Sequence, residues 1–141
     1  MGLQSVFEHQ ITVRFYDVDR AGIVFFGRIF EYAHAAFEEL LMKVGLVSVF
    51  EAEGWGMPLV HAEADFSKPM RMGDRIDVKV SVEKHSERSI TFAFALHGAV
   101  EGEKRADVKH VHAFVDLETM RSRIFPDSLR AGLIDLGLLS D

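Results

Sequence analysis

The stretch DVDRAGIVFFGRIFEYAHAAFEELLMKV, residues 17–44, decides the fold. From Arg28 onward, Ile29, Ala33, Phe37 and Leu41 recur every four residues and are joined by Ala36, Leu40 and Val44. Arg28, Glu31, Glu38 and Lys43 lie elsewhere on the helical wheel. This pattern predicts one long amphipathic helix over Arg28–Val44, with Gly45 as its natural terminator. Just ahead of it, two acids and an arginine run straight into a glycine and the apolar run IVFF. The junction is either a solvated acidic turn at the edge of a core or a reactive carboxylate beside a dry pocket.

Outward from the helix, the period changes from four to two. Before it, Phe7, Ile11, Val13 and Phe15 alternate with Glu8, Gln10, Thr12 and Arg14, as in a half-buried strand. After the glycine-rich EGWGMP come four more extended segments. In Leu59–Phe66, residues Val60, Ala62, Ala64 and Phe66 alternate with His61, Glu63 and Asp65. In Ile76–Val82 and Ile90–Leu96 the apolar sets are Ile76, Val78, Val80 and Val82, then Ile90, Phe92, Phe94 and Leu96. The last segment, near Ala106–Val115, is apolar on both faces, as a central strand would be. MGD at 72–74, HSERS at 85–89 and HGAVEGEK at 97–104 supply the turns. Short links between successive strands imply antiparallel pairing, and Pro126, Asp127 and Ser128 can start a short final helix, Leu129–Leu136.

The expected fold is therefore α+β: a five-stranded antiparallel sheet that must curl around one long central helix, because no other helix can cover it. The second face of the sheet carries the small residues Thr91, Ala93 and Ala95, and its edges are open. Both features suggest burial against another copy of the chain.

At 141 residues, 48% hydrophobic and 27% charged, the chain reads as a single domain, 1–141, able to bury a core without staples. No apolar run approaches the ~20 residues of a membrane helix, and MGLQSVFEHQ lacks the pattern of a secretory signal, so the expected compartment is the cytoplasm. The absence of cysteine excludes thiol nucleophiles, disulfides and thiolate metal sites. A net charge of -6 argues against nucleic acid as the partner, while leaving room for a local basic patch toward a small anion.

GxSxG, GxGxxG, phosphate-loop and HExxH motifs are all missing. His110 and His112 project from one strand face, but no third ligand lies close by, so they read as structural or simply polar rather than as a metal site. What remains is the opening junction. Asp17 and Asp19 follow a strand, Gly22 permits an unusual backbone turn, and the helix start beyond offers unpaired N–H groups and the positive end of a dipole. A carboxylate beside such donors suits acyl transfer, in which the acid attacks a carbonyl or activates water and the N–H groups hold the developing oxyanion. Ile23, Val24, Phe25 and Phe26 would keep that site dry.

The run YDVDRAGIVFFGRIFEYAHAAFEELL, residues 16–41, resembles the signature segment of the 4-hydroxybenzoyl-CoA thioesterase family, whose members share the hot dog fold. GMPLVHAEADFSKPMRMGD, residues 56–74, resembles the family's second strand and following turn. The resemblance implies an acyl-CoA thioesterase releasing free acid and coenzyme A, with no cofactor beyond the coenzyme A of the substrate. It assigns Asp19 as nucleophile or general base and the Phe26 backbone N–H as the group polarising the carbonyl. Gly22 then shapes the turn, and Asp17 has a structural role. Some relatives carry His or Tyr where Phe26 stands, a change that a backbone donor survives. By the same similarity Phe25, Phe30 and His34 line the acyl pocket. Arg88 and Ser89, with Arg123 a weaker candidate, would meet the phosphates of coenzyme A or be plain surface charge. The family's 4-hydroxybenzoyl enzymes have Asp where His34 stands. FEYAHAAFE and MPLVHA look closer to thioesterases acting on 1,4-dihydroxy-2-naphthoyl-CoA. The implied assembly is a homo-oligomer, a dimer or a homotetramer, with the pocket between subunits. The alternatives are a thioesterase for short or medium aliphatic chains, a non-catalytic acyl-CoA or acyl-carrier binding module, and, more distantly, a dehydratase of the same fold.

Overall fold

The structure, a computed structural model, describes residues 6–46 and 52–140. Residues 1–5, part of the segment read above for a leader, lie outside them. Strand β1 (Phe7–Thr12) leads through a 3-10 turn (Phe15–Asp17) to helix α1 (Arg28–Lys43). There follow β2 (Trp55–Gly56), β3 (Leu59–Phe66), β4 (Arg75–His85), β5 (Ser89–Gly98), β6 (Lys104–Ala113), β7 (Val115–Asp116) and helix α2 (Asp127–Asp135). The five long strands form one antiparallel sheet in the order β1-β4-β5-β6-β3, while β2 pairs only with β7. Helix α1 touches β1 and β4 toward one edge of the sheet and β3 and β6 at the other, so the sheet curls around it as expected.

The amphipathic pattern explains the packing. Ile29, Ala33, Ala36, Phe37 and Leu40 of α1 are buried against Ile76, Val78 and Val80 of β4 and Ile90, Phe92, Phe94 and Leu96 of β5. Phe37 and Phe92 meet with ring centroids 5.3 Å apart. Each such side chain contributes ~1.5–3 kcal/mol through burial, so this one interface outweighs any other in the molecule. Helix α2 packs beside the end of α1, and Gly132 is what lets it approach. A Cβ there would stand 2.9 Å from Val44 Cβ.

Three elements differ from the sequence reading. β1 stops at Thr12, opposite the first residue of β4, and Phe15 is exposed. The chain turns instead around Asp17, which is only 5% exposed. Its Oδ2 accepts the Arg14 N–H at 3.0 Å and the Tyr32 hydroxyl at 2.8 Å, and Arg28 Nε lies 3.8 Å from Oδ1. Burial and the Asp17 carboxylate together hold the Tyr32 hydroxyl above the ordinary tyrosine range. β3 shows no alternation in burial and none of its residues is buried: it is an edge strand, and Ala64 alone of it packs partly against the core. β6 is not apolar on both faces: its inward residues are Ala106, Val108, His110 and His112.

Those two histidines are 1% and 3% exposed. His112 Nδ1 lies 2.8 Å from the Met57 carbonyl, which requires it to be the protonated nitrogen and leaves Nε2 as a bare acceptor. Among the described residues, neither ring nitrogen of His110 nor Nε2 of His112 has a hydrogen-bond partner. An unpaired buried polar group costs about 1–3 kcal/mol, so this face of β6 is less stable than an apolar one would be. Burial, then the neighbouring His112 and His34, push His110 down to about 4, and burial likewise lowers His112.

Two outcomes follow from these contacts. Replacing Tyr32 by Phe should lower the unfolding free energy by roughly 1–3 kcal/mol, read from urea titrations, because a buried carboxylate loses its donor. His110 stays neutral in the fold and gains a proton readily once unfolded, so its contribution is full above the ordinary pKa of 6.5 and fades as pH falls toward about 4. Over that window wild type should lose roughly 3 kcal/mol relative to His110→Phe in parallel urea titrations.

Candidate active site

Asp19 sits on a tight turn stitched from both sides. Its N–H donates to the Ile23 carbonyl at 2.8 Å, its carbonyl accepts the Gly22 N–H at 3.0 Å, and its Oδ1 accepts the Ala21 N–H at 2.8 Å. The turn needs Gly22, whose φ of +82° lies in the left-handed region. Val18 bridges Val24, and Ile23 bridges Arg71. The Val24 N–H donates to the Met70 carbonyl at 2.8 Å and the Phe25 N–H to the Asp17 carbonyl at 2.9 Å. The loop carrying the carboxylate is thus fixed to the chain entering β4 on one side and, through Asp17 and Tyr32, to α1 on the other.

Asp19 is exposed and lines a cleft of about 540 Å³ with Ile23, Phe25, Phe26, Phe66, Lys68 and Met70. Phe26 precedes the N-cap of α1, Gly27, which supplies no side-chain cap. Among the described residues no group accepts the Phe26 N–H. Phe26 lines the same cleft as Asp19, and the positive end of the α1 dipole lies just beyond it. The aromatic rings meant to exclude water are not covered by this chain, Phe25 and Phe26 being 49% and 62% exposed with centroids 4.7 Å apart.

One turn along α1 a second hollow opens, about 410 Å³, lined by Phe30, Glu31, His34, Ala35, Glu38, Leu59 and His110. His34 and Leu59 also border a third, of about 510 Å³, that runs on past Phe37, Met57 and His112. The Phe30 ring lies over the His110 ring at 6.3 Å, and Phe37 stacks on His112 at 4.7 Å. His34 is exposed, with Nε2 3.4 Å from Glu38 Oε1. At ~1.5 Å per residue, Phe30 and His34 stand roughly 6 and 12 Å along the helix from Phe26.

Arg88 and Ser89 are not brought to Asp19 in this chain. They close the β4–β5 hairpin, where Arg88 Nη1 donates to Ser122 Oγ at 3.2 Å and Ser89 Oγ lies 2.8 Å from Ser86 Oγ. The Asp19 turn flanks the opposite end of the sheet, where Ile76 pairs with Gly98, about nine strand residues or roughly 30 Å away. Arg123 lies near the hairpin end too, its Nε donating to the Ile124 carbonyl at 2.9 Å and its charge acting on Glu53 and Asp116. Lys68, beside Asp19 and ion-paired with Glu103, drew no notice in the sequence because a lone lysine in a turn carries no pattern. The inward placement of His110 and His112 could have been read from their spacing of two in register with Ala106 and Val108.

The thioesterase-like superfamily model matches residues 13–133, from the end of β1 into α2. A 1,4-dihydroxy-2-naphthoyl-CoA hydrolase from Prochlorococcus marinus (strain NATL1A) is 33% identical over 109 residues, covering 71% of this chain and 73% of that protein. A hydrolase of the same description from Thermosynechococcus vestitus is 29% identical over 128 residues, covering 89% and 87%. Among solved structures, a 1,4-dihydroxy-2-naphthoyl-CoA thioesterase from Synechocystis superposes with a TM-score of 0.85 at 25% identity, covering 94% of this chain and 98% of that one. With its sheet curled around one helix and a carboxylate turn at the helix start, the chain belongs to the thioesterase-like superfamily of hot dog fold proteins.

Proposed function

We propose that this protein hydrolyses the thioester of an aromatic acyl-CoA to the free acid and coenzyme A. The observation that carries the reading is the shared cleft of Asp19 and the unaccepted Phe26 N–H at the start of α1. A thioester carbonyl placed there would point its oxygen at the N–H and helix dipole, while Asp19 attacks the carbonyl carbon or takes a proton from water. As the tetrahedral oxygen becomes negative, the dipole and N–H stabilise it more than they did the ground state. Collapse of the tetrahedral species breaks the C–S bond and expels the thiolate of coenzyme A, which takes up a proton. On the nucleophilic route a water then cleaves the acyl-Asp19 anhydride to the free acid and restores the carboxylate. Asp17 takes no part in the chemistry, since both its oxygens are engaged in holding the turn. Coenzyme A being part of the substrate, this reaction calls for no cofactor.

An aromatic acyl group suits the hollow beyond Phe26, with Phe30 and His34 on its walls. The likeness to 1,4-dihydroxy-2-naphthoyl-CoA hydrolases supports that substrate class, and an aliphatic chain along the third hollow is the reading it competes with. The working unit in this reading is a homo-oligomer built on β3. That strand is an exposed edge carrying Leu59, Val60 and Phe66 at 48%, 61% and 56% exposure. Antiparallel pairing of two such edges would turn one copy end for end. It would set the Arg88–Ser89 end of the second copy beside the Asp19 cleft of the first, where a coenzyme phosphate would meet it, and would cover Phe25 and Phe26. Nothing in the chemistry needs nucleic acid. Among the described residues no helix is long and apolar enough to cross a membrane. The cytoplasm, where acyl-CoA esters are made, is the proposed compartment.

The test is thiol release from hydroxynaphthoyl, hydroxybenzoyl, benzoyl, phenylacetyl and fatty acyl-CoA esters. Asp19→Asn should cut kcat by ~10³-fold or more with the fold intact by circular dichroism, and an unaffected variant would sink the mechanism. Arg88→Glu should raise KM for every CoA ester about tenfold while leaving kcat within a factor of two or so. An unchanged KM would place the coenzyme elsewhere.

A further inference from the structure

The acyl hollow has a wall that the catalytic argument does not use. His110 and His112 stand two residues apart on the inward face of β6, with side chains the fold buries almost completely. Each borders one of the two hollows that meet at His34. Three of their ring nitrogens, both on His110 and Nε2 on His112, have no partner among the described residues. These atoms are themselves closed to solvent, so a ligand hydroxyl would reach them only as the side chains of the hollows shift. The tautomer of His112 is set by the Met57 carbonyl, so its free nitrogen can only accept. His110, flanked by the rings of Phe30 and Phe94, offers one N–H and one lone pair. An aliphatic chain has nothing to give such a wall. A hydroxyl on an aromatic ring has a proton to donate and lone pairs to receive one.

We propose that His110, with His112 behind it, is the specificity wall of the acyl pocket, recognising a ring hydroxyl of the substrate by hydrogen bonding. The inference rests on the aromatic acyl-CoA reading above and adds the residues that would select hydroxylated over bare rings. Burial keeps His110 uncharged at neutral pH, which preserves its acceptor. A polar site built to meet a hydroxyl discriminates strongly against the analogue lacking it, because the site's own groups then stay unpaired. The same reasoning separates this role from a structural one. A histidine kept for packing should lose stability when replaced by phenylalanine, whereas a recognition histidine should lose selectivity while stability holds or rises.

The experiment compares kcat/KM for 1,4-dihydroxy-2-naphthoyl-CoA and 2-naphthoyl-CoA in wild type, His110→Phe and His110→Gln, with melting temperatures alongside. Binding of the two free acids is measured by calorimetry on the same proteins. Wild type should prefer the hydroxylated ester by at least ~10-fold. His110→Phe should bring the ratio close to one without a lower melting temperature, and His110→Gln, which keeps a donor and an acceptor, should hold most of it. No preference in wild type, a preference intact in the Phe variant, or a preference lost in a folded Gln variant overturns the proposal. If only one variant folds, that one decides. Should wild type cleave neither ester, the thioesterase reading fails on its own, and the acids decide the wall: preferential binding of the hydroxylated acid, lost in His110→Phe, supports it, and equal binding overturns it.

Discussion

One constraint governs this molecule: a single long helix has to satisfy an entire sheet. Five strands present more apolar surface than a straight helix can cover, so the sheet bends until β1 and β3, its two edges, both come within reach of α1. Everything functional hangs on that geometry. The start of α1 comes to lie beside the end of the sheet where β4 begins, with the carboxylate turn between β1 and α1 next to it. Phe37 and Phe92, packed at the middle of this interface, fix the helix so that Phe26, Phe30 and His34 follow one another along a line leading away from Asp19.

The parts of the fold set by one strong periodicity were legible in the residues. The helix ran as its four-residue spacing required, β4 buried Ile76 to Val82 in strict alternation, and β5 buried Ile90, Phe92, Phe94 and Leu96 with Thr91 of the other face buried as well. What escaped were features decided by partners distant in sequence. β1 ended early because β4 begins at Arg75 and because Asp17 captured the Arg14 N–H. The β2–β7 pair joins two-residue strands some sixty positions apart, too short to show any period, although Trp55 between its glycines is fully buried. In the candidate site, the turn of Asp19 and the helix start at Phe26 were visible as a motif. The hollow beyond them was not, since His110 enters it from β6 through tertiary folding. Arg88 illustrates the converse: similarity pointed to it, yet within one chain it stands at the far end of the sheet.

The polarity of β6 sets stability against the recognition proposed for the pocket. At the inward positions where β4 and β5 place Val, Ile and Phe, β6 places two histidines whose nitrogens the fold leaves unpaired. Such residues weaken a core by themselves. In the proposed recognition, the positions at which the core forgoes apolar packing are the ones that would tell one end of a ring from the other.

The bond between Asp17 and Tyr32 has a dynamic meaning beyond its contribution to stability. It joins the carboxylate loop to the second turn of α1, so the loop cannot flex away from the helix start without first exposing a buried acid to a missing donor. Loop motion is thereby coupled to breaking that buried bond, unlike the nanosecond wandering of a free turn. In the proposed mechanism the carboxylate and the helix start would therefore stand in register before any ligand arrives, and little of the binding energy need be diverted to assembling them.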